Sequence, residues 1–236
     1  MRQGRVGHVK RQEVMKATLR WAVCAVLVAT GATACSDDET GTEQPETLSA
    51  SQVCDGSLGL SGAAALKRLS TTARFTELDG TNEIGDPNAF SLPLAAKRLH
   101  DGLGDRNRCK PYRDDNDSDF PVLSIDFEAR ASHSDPKKVA AEGADDLVFY
   151  PLGEFAVTHE DGGATLVFAC PTKGRGERTP YVRANLTVTR GQIAPDSTDK
   201  DQMAVLNGVS RALAEELGCA AQAKLPAEVP DALATD

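Results

Sequence analysis

Strict alternation of apolar and polar side chains in two separate segments constrains the fold of this chain more than any other feature. In residues 123–130 every second position is apolar: Leu123, Ile125, Phe127 and Ala129. Residues 181–190 alternate in the same way. Because successive side chains of a strand point to opposite faces, both segments are predicted to be antiparallel strands with one buried face and one solvated face.

Two further strands extend the predicted sheet to four or five strands. Residues 147–160 predict a strand that is interrupted near Pro151 and Gly153, because proline cannot donate to the ladder and glycine favours a bend. The Asp-Gly-Gly sequence at 161–163 is a hairpin signal. Residues 164–170 are therefore predicted to form the returning strand.

Helical periodicity is present on both sides of this strand block. Residues 60–70 predict a first helix that is capped by Ser61, and residues 92–103 predict a second helix with Leu103 on its buried face. Apolar residues recur at helical spacing again between 203 and 217. Helices, then antiparallel strands, then a helix indicate an α+β fold, with the N- and C-terminal helices covering one face of the sheet.

The first 34 residues have the composition of an export signal. They contain six basic residues and one acid, a net charge of +5, followed by an apolar run of ten residues from Trp21 to Thr30. Ten residues are too few to span a bilayer core, which takes about 20. A basic start, a short apolar centre and a small-residue ending predict a signal peptide at residues 1–34.

The end of this signal, Ala32-Thr33-Ala34-Cys35, resembles the signal of bacterial lipoproteins. In that family a small-residue box directly precedes a cysteine, which is acylated and becomes the first residue of the mature protein. The resemblance implies that Cys35 carries lipid and holds the exported protein at the outer face of the cell membrane. Plain secretion, with cleavage after Ala34, is the alternative.

The residues after Cys35 divide into a predicted tether, a domain and a tail. Residues 36–50 hold five acids, one proline and few apolar residues, so they are expected to form a flexible acidic tether with a reach of roughly 20 Å. A single folded domain is expected at residues 51–219 and a disordered tail at 220–236. Beyond the signal the chain has 20 basic and 34 acidic residues, a net charge of −14, which argues against nucleic acid as a partner.

Four cysteines lie within the predicted domain: Cys54, Cys109, Cys170 and Cys219. An even number of widely spaced cysteines in an exported protein predicts two disulfides, and four cysteines allow three pairings. Their positions favour Cys54–Cys109, which would clamp the helical half, with Cys170–Cys219, which would join the last helix to the sheet. The pairing of Cys54 with Cys219 and of Cys109 with Cys170 is the main alternative, since it would join the first helix to the last.

The order of these elements resembles small, uncharacterised lipoproteins of actinomycetes that contain paired cysteines. The likeness lies in the placement of Cys54 before the first helix and of Cys109 before the strand block. No chemical motif is shared, so this resemblance implies no activity.

An acidic run at residues 114–119 has three aspartates at the spacing of a calcium loop, and Asp126 stands at the twelfth position. The sixth position is Phe120, where such a loop needs glycine. We therefore interpret the run as a solvated loop and predict no metal site and no cofactor. A basic island at residues 173–178 is interpreted as an ordinary strand connection, because it lacks the spacing of a phosphate-binding loop.

The sequence contains no recognised catalytic motif, and we assign no catalytic residue. His100, His133 and His159 remain after the signal, on different predicted elements. These observations favour an extracytoplasmic lipoprotein whose domain is a binding or interaction module, with the lipid bilayer and an envelope protein or small ligand as partners. The alternative is a cell-surface hydrolase. A pocket that joins these histidines to carboxylates would favour the enzyme, and a shallow, patterned surface would favour the binding module.

Overall fold

The computed structural model describes residues 46–115, 118–141, 146–160, 162–174, 176 and 178–234. The predicted signal, Cys35 and most of the predicted tether lie outside these residues. The elements follow along the chain in this order: β1 (Leu48–Ser49), α1 (Gly59–Ser70), β2 (Arg74–Thr76), α2 (Leu92–Lys97), a 3₁₀ turn (Leu103–Asp105), β3 (Tyr112–Arg113), β4 (Leu123–Arg130), α3 (Pro136–Ala141), β5 (Leu147–Phe149), β6 (Phe155–His159), β7 (Gly163–Lys173), β8 (Arg178–Val188), α4 (Asp199–Glu216) and α5 (Ala220–Ala223).

Five of these strands form an antiparallel sheet in the order β4-β8-β7-β6-β5. The two alternating segments of the sequence form β4 and most of β8, and these two strands pair with each other. Their register runs from Leu123 opposite Val188 to Arg130 opposite Tyr181. Helix α4 packs against β6, β7 and β8, and α1 packs against α4. The predicted α+β fold is therefore confirmed.

A second, three-stranded sheet of order β1-β2-β3 was not predicted as a sheet. Leu48 and Arg113 both pair with Phe75, which is fully buried. The outer two strands are only two residues long, too short to show an alternating pattern. Because Leu48 and the buried Ala50 belong to the fold, the domain begins earlier than the predicted boundary at residue 51.

Both N-terminal helices differ in extent from the predicted ones. Helix α1 begins at Gly59, so Ser61 lies inside the helix and does not cap it. Helix α2 ends at Lys97, where Arg98 turns aside and pairs with Asp86 and Asp101. Leu103 is consequently 56% exposed and does not contribute to the core. The periodicity of the sequence predicted a helix that continues to residue 103. It could not show that α2 ends earlier, because the end is set by the ion pair between Arg98 and Asp86 and by the extended backbone of Gly102.

The close approach of α1 and α4 depends on two glycines. A Cβ atom on Gly208 would overlap the backbone carbonyl of Leu58, which precedes α1, and one on Gly62 would lie 3.2 Å from the carbonyl oxygen of Ala204. Residues this small allow two helix backbones to pack at short distance. The contact places the apolar face of α4 between α1 and the sheet.

The chain beyond Cys219 is part of the folded domain. Ala223 of α5 and Val229 are buried, and the Leu233 N–H donates a 2.8 Å hydrogen bond to the carbonyl oxygen of Phe149. The Asn207 side chain in α4 donates to the carbonyl oxygen of Pro226 at 2.9 Å. The prediction of a disordered tail from residue 220 is therefore wrong for residues 220–234.

Two disulfides have the pairing that the positions of the cysteines favoured. Cys54 is bonded to Cys109 with Cα atoms 5.2 Å apart, and Cys170 to Cys219 with Cα atoms 5.3 Å apart. All four cysteines are buried. The second disulfide joins β7 to the residue that precedes α5. Among the described residues, no helix combines the length and apolar character that crossing a membrane requires.

Candidate functional site

The sheet face that points away from α4 changes from charged to apolar across its width. One row of directly paired residues shows the change: Glu128 on β4, Arg183 on β8, Val167 on β7 and Phe155 on β6. The charged members lie at the β4 edge and the apolar members toward β5. This outer face is therefore suited to a ligand that is itself polar at one end and apolar at the other.

The apolar half of the outer face forms a hydrophobic cluster of its own. Phe149, Phe155, Val157 and Val167 are buried there, and Val139 of α3, Leu147 and Tyr181 pack against them. The rings of Phe149 and Phe155 meet edge to face with centroids 6.2 Å apart. Because Val139 comes from α3, that helix partly covers the sheet at this point.

The charged half is organised around the carboxylate of Glu128. Arg106 Nη2 lies 2.8 Å from Oε2, whereas Arg183 and, at 3.6 Å, Arg130 approach Oε1. Arg106 also binds Asp126 at 2.9 Å. Three guanidinium groups thus face two carboxylates, a local charge of +1. The Glu128 side chain is only 11% exposed, but those of Arg130 and Arg183 are 45% and 35% exposed, so the accessible charge is positive.

A concavity of about 410 Å³ lies over this face, within the range of small-molecule sites, roughly 300–1,000 Å³. Its lining combines apolar, cationic, imidazole and hydroxyl side chains: Val139, Leu147, Phe155, Val157, Val167, Arg130, Arg183, His133, His159, Ser132, Ser134 and Thr165. None of these described lining residues is acidic. The concavity is therefore a candidate binding site with an apolar floor and a cationic rim, and we call it the outer-face cavity.

The structure brings together two of the three histidines that the sequence singled out. His133 and His159 both line the outer-face cavity. The His133 ring meets Tyr181 edge to face at 4.7 Å, and its Nδ1 lies 2.8 Å from the carbonyl oxygen of Ser134. His100 does not line this cavity. Its ring lies against Gly174, so close that a Cβ atom added to that glycine would come within 2.6 Å of the ring.

The sequence analysis did not identify the arginines and the apolar floor as parts of a site. One signal was present: the segments 155–157 and 166–168 are apolar at every position and do not alternate. Strands that are apolar on both faces are covered on both faces. That pattern distinguishes β6 and β7 from β4 and β8, and it marks the part of the sheet that has a second cover.

The described residues of the acidic run and of the basic island do not line the outer-face cavity. Asp115 receives two hydrogen bonds from Arg113, at 2.8 and 3.0 Å, which lower the pKa of its carboxyl group. Asp114 accepts a hydrogen bond from Arg74 at 3.0 Å. Their carboxylates are thus engaged by arginines, whereas Asp117 lies outside the described residues. Lys173 pairs with Arg178 at the end of the β7–β8 hairpin, and residue 175 of the island also lies outside the described residues.

One cluster with metal-ligand side chains has a structural explanation. Glu77 lies beside Cys54 and Cys109, and its Oε1 accepts the Cys54 N–H at 2.7 Å. Because both sulfurs belong to a disulfide, neither offers the thiolate that a metal would bind. Glu77 also borders a cleft of only about 90 Å³, well below the size of an ordinary ligand site.

The chain matches no protein-family model, no curated protein and no solved structure. The disulfides and the outer-face cavity are therefore the structural features that bear on its function.

Proposed function

We propose that this protein is an exported, lipid-anchored binding protein whose domain holds a small ligand in the outer-face cavity. The observation that carries the binding role is the combination of a ligand-sized concavity with an apolar floor and accessible cations on its rim. The Ala32-Thr33-Ala34-Cys35 sequence supports the anchor and a location at the outer face of the membrane. The two buried disulfides support export, because such bonds persist in oxidising compartments.

The lining of the cavity favours binding over the alternative of a hydrolase. A general acid–base mechanism commonly pairs a histidine with a carboxylate that orients it and tunes its pKa. His133 and His159 face the cavity, but no acid is among its described lining residues. Glu128, which lies opposite the lining residue Arg183 in the β4–β8 ladder, is already engaged by arginines. The described lining residues thus provide groups that can hold an anion and include no histidine–carboxylate pair.

A tryptophan reporter placed in the floor tests whether the cavity binds ligands. A soluble chain of residues 36–236 retains every contact described above, since all of them lie within 46–234, and it contains no tryptophan, because Trp21 is the only one. Phe155→Trp therefore gives one emission signal from the floor. Phe90→Trp is the matched control in the main core, because both phenylalanines are buried.

The reporter is titrated with four octyl probes: octyl phosphate, octanoate, octanol and octyltrimethylammonium. We expect at least one of them to shift the emission of Phe155→Trp in a saturable way and to leave that of Phe90→Trp unchanged. Adding Thr165→Phe, which fills the cavity, should abolish the shift. Thr187→Phe is its control, since Thr187 is exposed on the same face and does not line the cavity. If none of the four probes changes the emission, the cavity has no binding role.

The anchor is tested separately in the full chain. Cys35→Ser should move the protein from the membrane fraction to the medium or block its processing, since the acyl chains are what hold it. Cys24→Ser, within the predicted signal, removes a cysteine without removing the acylated one and should leave the protein at the membrane. A wild-type protein that is fully soluble and has an unmodified N-terminus would exclude lipidation.

A further inference from the structure

We propose that the ligand of the outer-face cavity is an amphiphile with an anionic head group, carboxylate or phosphate, and a linear apolar chain. The head group binds at Arg130 and Arg183, and the chain lies over Phe155, Val157 and Val167. This inference rests on the proposed function, because it names the ligand class for the same cavity.

The head group is assigned from the arrangement of the two arginines. Arg183 lies opposite Glu128 in the β4–β8 ladder, and Arg130 is two residues further along β4, so the two arginines are diagonal neighbours, with Cα atoms about 7–8 Å apart. Both guanidinium groups point to the same Oε1 atom of Glu128. They are therefore held together. Both side chains line the cavity and are partly exposed, Arg130 to 45% and Arg183 to 35%, although Nε of Arg183 is buried.

Charge balance selects an anion over a cation. The cluster has one more positive group than negative groups, since it contains Arg106, Arg130 and Arg183 but only Asp126 and Glu128. A bound monoanion makes the cluster neutral. A bound monovalent cation would double its excess charge. A guanidinium group presents a planar fork of donors that matches carboxylate and phosphate oxygens. The acidic surface of the remaining chain is screened over about 8–10 Å at physiological salt, so it does not cancel this local charge.

The apolar chain is assigned from the direction of the floor. Val167 lies beside Arg183 on the neighbouring strand, Phe155 beside Val167, and Leu147 belongs to the last strand of the sheet. Crossing from β8 to β5 covers three strand spacings, about 14 Å in total. A linear chain attached to a head group at the arginines can follow this path and bury its methylene groups against side chains that are all apolar.

The Phe155→Trp chain of residues 36–236 tests the ligand class with the same four probes and with inorganic phosphate. We expect octyl phosphate and octanoate to bind at least tenfold more tightly than octanol, and octyltrimethylammonium and inorganic phosphate to give no shift. Lengthening the alkyl chain from hexyl to octyl should raise the affinity by up to about fourfold per methylene, from about 0.8 kcal/mol for each buried CH₂. Calorimetry on the chain without the reporter substitution should give the same order of affinities.

Charge variants then locate the head group. Arg130→Gln should weaken both anions about tenfold or more and leave the affinity for octanol unchanged, because it removes donors to a charged group. Arg183→Lys keeps the positive charge but removes the planar guanidinium group, so we expect a smaller loss of affinity for the anions than in Arg130→Gln. Lys67→Gln is the matched control, since it removes one exposed positive charge from α1, away from the sheet, and should change no affinity. Unchanged melting of Arg130→Gln shows that the variant is folded.

Each outcome has a defined meaning. Stronger binding of octyl phosphate than of octanoate identifies a phosphate head group, and the reverse order identifies a carboxylate. Two results would overturn the anionic assignment and leave the binding role of the cavity intact. The first is that octanol or octyltrimethylammonium binds as tightly as the anions. The second is that Lys67→Gln weakens binding as much as Arg130→Gln does. The absence of any shift with all probes would overturn both.

Discussion

Arg68 of α1 pairs with one oxygen of Asp201 in α4: its Nε donates a 2.8 Å hydrogen bond to Oδ1, and its Nη2 forms an ion pair with the same atom at 2.6 Å. The other carboxylate oxygen of Asp201 accepts hydrogen bonds from the Thr198 hydroxyl at 2.7 Å and from the Thr198 N–H at 3.3 Å, and the second of these completes the capping box of α4. One buried carboxylate thus fixes the first turn of α4 and attaches it to α1.

This arrangement makes stability depend on pH at acidic values. Burial acts to raise the pKa of Asp201, but the hydrogen bonds from Arg68 and Thr198 outweigh it and hold the pKa below the ordinary 3.8. The folded chain therefore binds this proton less tightly than the unfolded chain, so the stabilisation is present above the ordinary pKa and is lost as the pH falls through the folded value. We expect the melting temperature of Arg68→Gln to depend less steeply on pH below about pH 4 than that of the wild type. Lys67→Gln, at the neighbouring position, should follow the wild type, and equal slopes for Arg68→Gln and wild type would contradict the assignment.

Glu77 is expected to give stability a pH dependence of the opposite sign to that of Asp201. Burial raises the pKa of Glu77; the Cys54 N–H opposes this increase and the nearby Asp55 adds to it. The folded chain holds this proton more tightly, so the associated stability is present below the ordinary pKa of 4.5 and is lost as the pH rises through the folded value. Glu77→Gln can still accept from Cys54, and it should make the free energy of unfolding less dependent on pH as the pH rises above the ordinary value of 4.5.

Urea unfolding of Glu77→Gln at several pH values, beside the exposed Glu83→Gln as control, measures this dependence. Curves for Glu77→Gln and wild type that run parallel would show that the carboxyl group is not perturbed.

The disulfide between Cys170 and Cys219 is expected to stabilise the domain by closing a loop across 49 residues. In the chain-entropy model this corresponds to about 4 kcal/mol. In urea, the free energy of unfolding of the double variant Cys170→Ala/Cys219→Ala should be lower than that of the wild type by about this amount. The variant Cys54→Ala/Cys109→Ala should lose a similar amount, because its cysteines are separated by 55 residues. Peptide mapping without reduction should recover these two linked pairs, and a linked pair containing Cys54 and Cys219 would contradict the structure.

Gly208→Ala should destabilise the protein although alanine is the better helix former. The added Cβ atom would overlap the backbone carbonyl of Leu58, so α1 and α4 would have to move apart. Such overpacking typically costs about 1–3 kcal/mol. Gly104→Ala is the control, because its Cβ atom meets no atom within 4 Å and should change the free energy of unfolding by less than about 0.5 kcal/mol. Equal thermal stability of the two variants would refute the close approach.

The sequence by itself determined the elements whose pattern is local. The strand at Leu123–Arg130 has the predicted bounds, because alternation over eight residues requires no information from the rest of the chain. The break near Pro151 and the connection of the β6–β7 hairpin, where Gly162 has a positive φ, follow from residue types with strong backbone preferences. The pairing of Cys54 with Cys109 and of Cys170 with Cys219 could be favoured from the sequence because each cysteine stands at the end of a predicted element.

Only the tertiary structure decided which residues share a surface. Arg130 and Arg183 lie far apart in the sequence and meet because the register of β4 and β8 places both beside Glu128. The short β1 and the segment after Cys219 carry no periodic signal, and their order comes from the partners they pack against. The outer-face cavity likewise exists only once five strands are aligned and α3 covers their apolar edge, since strand register is set by contacts across the whole sheet.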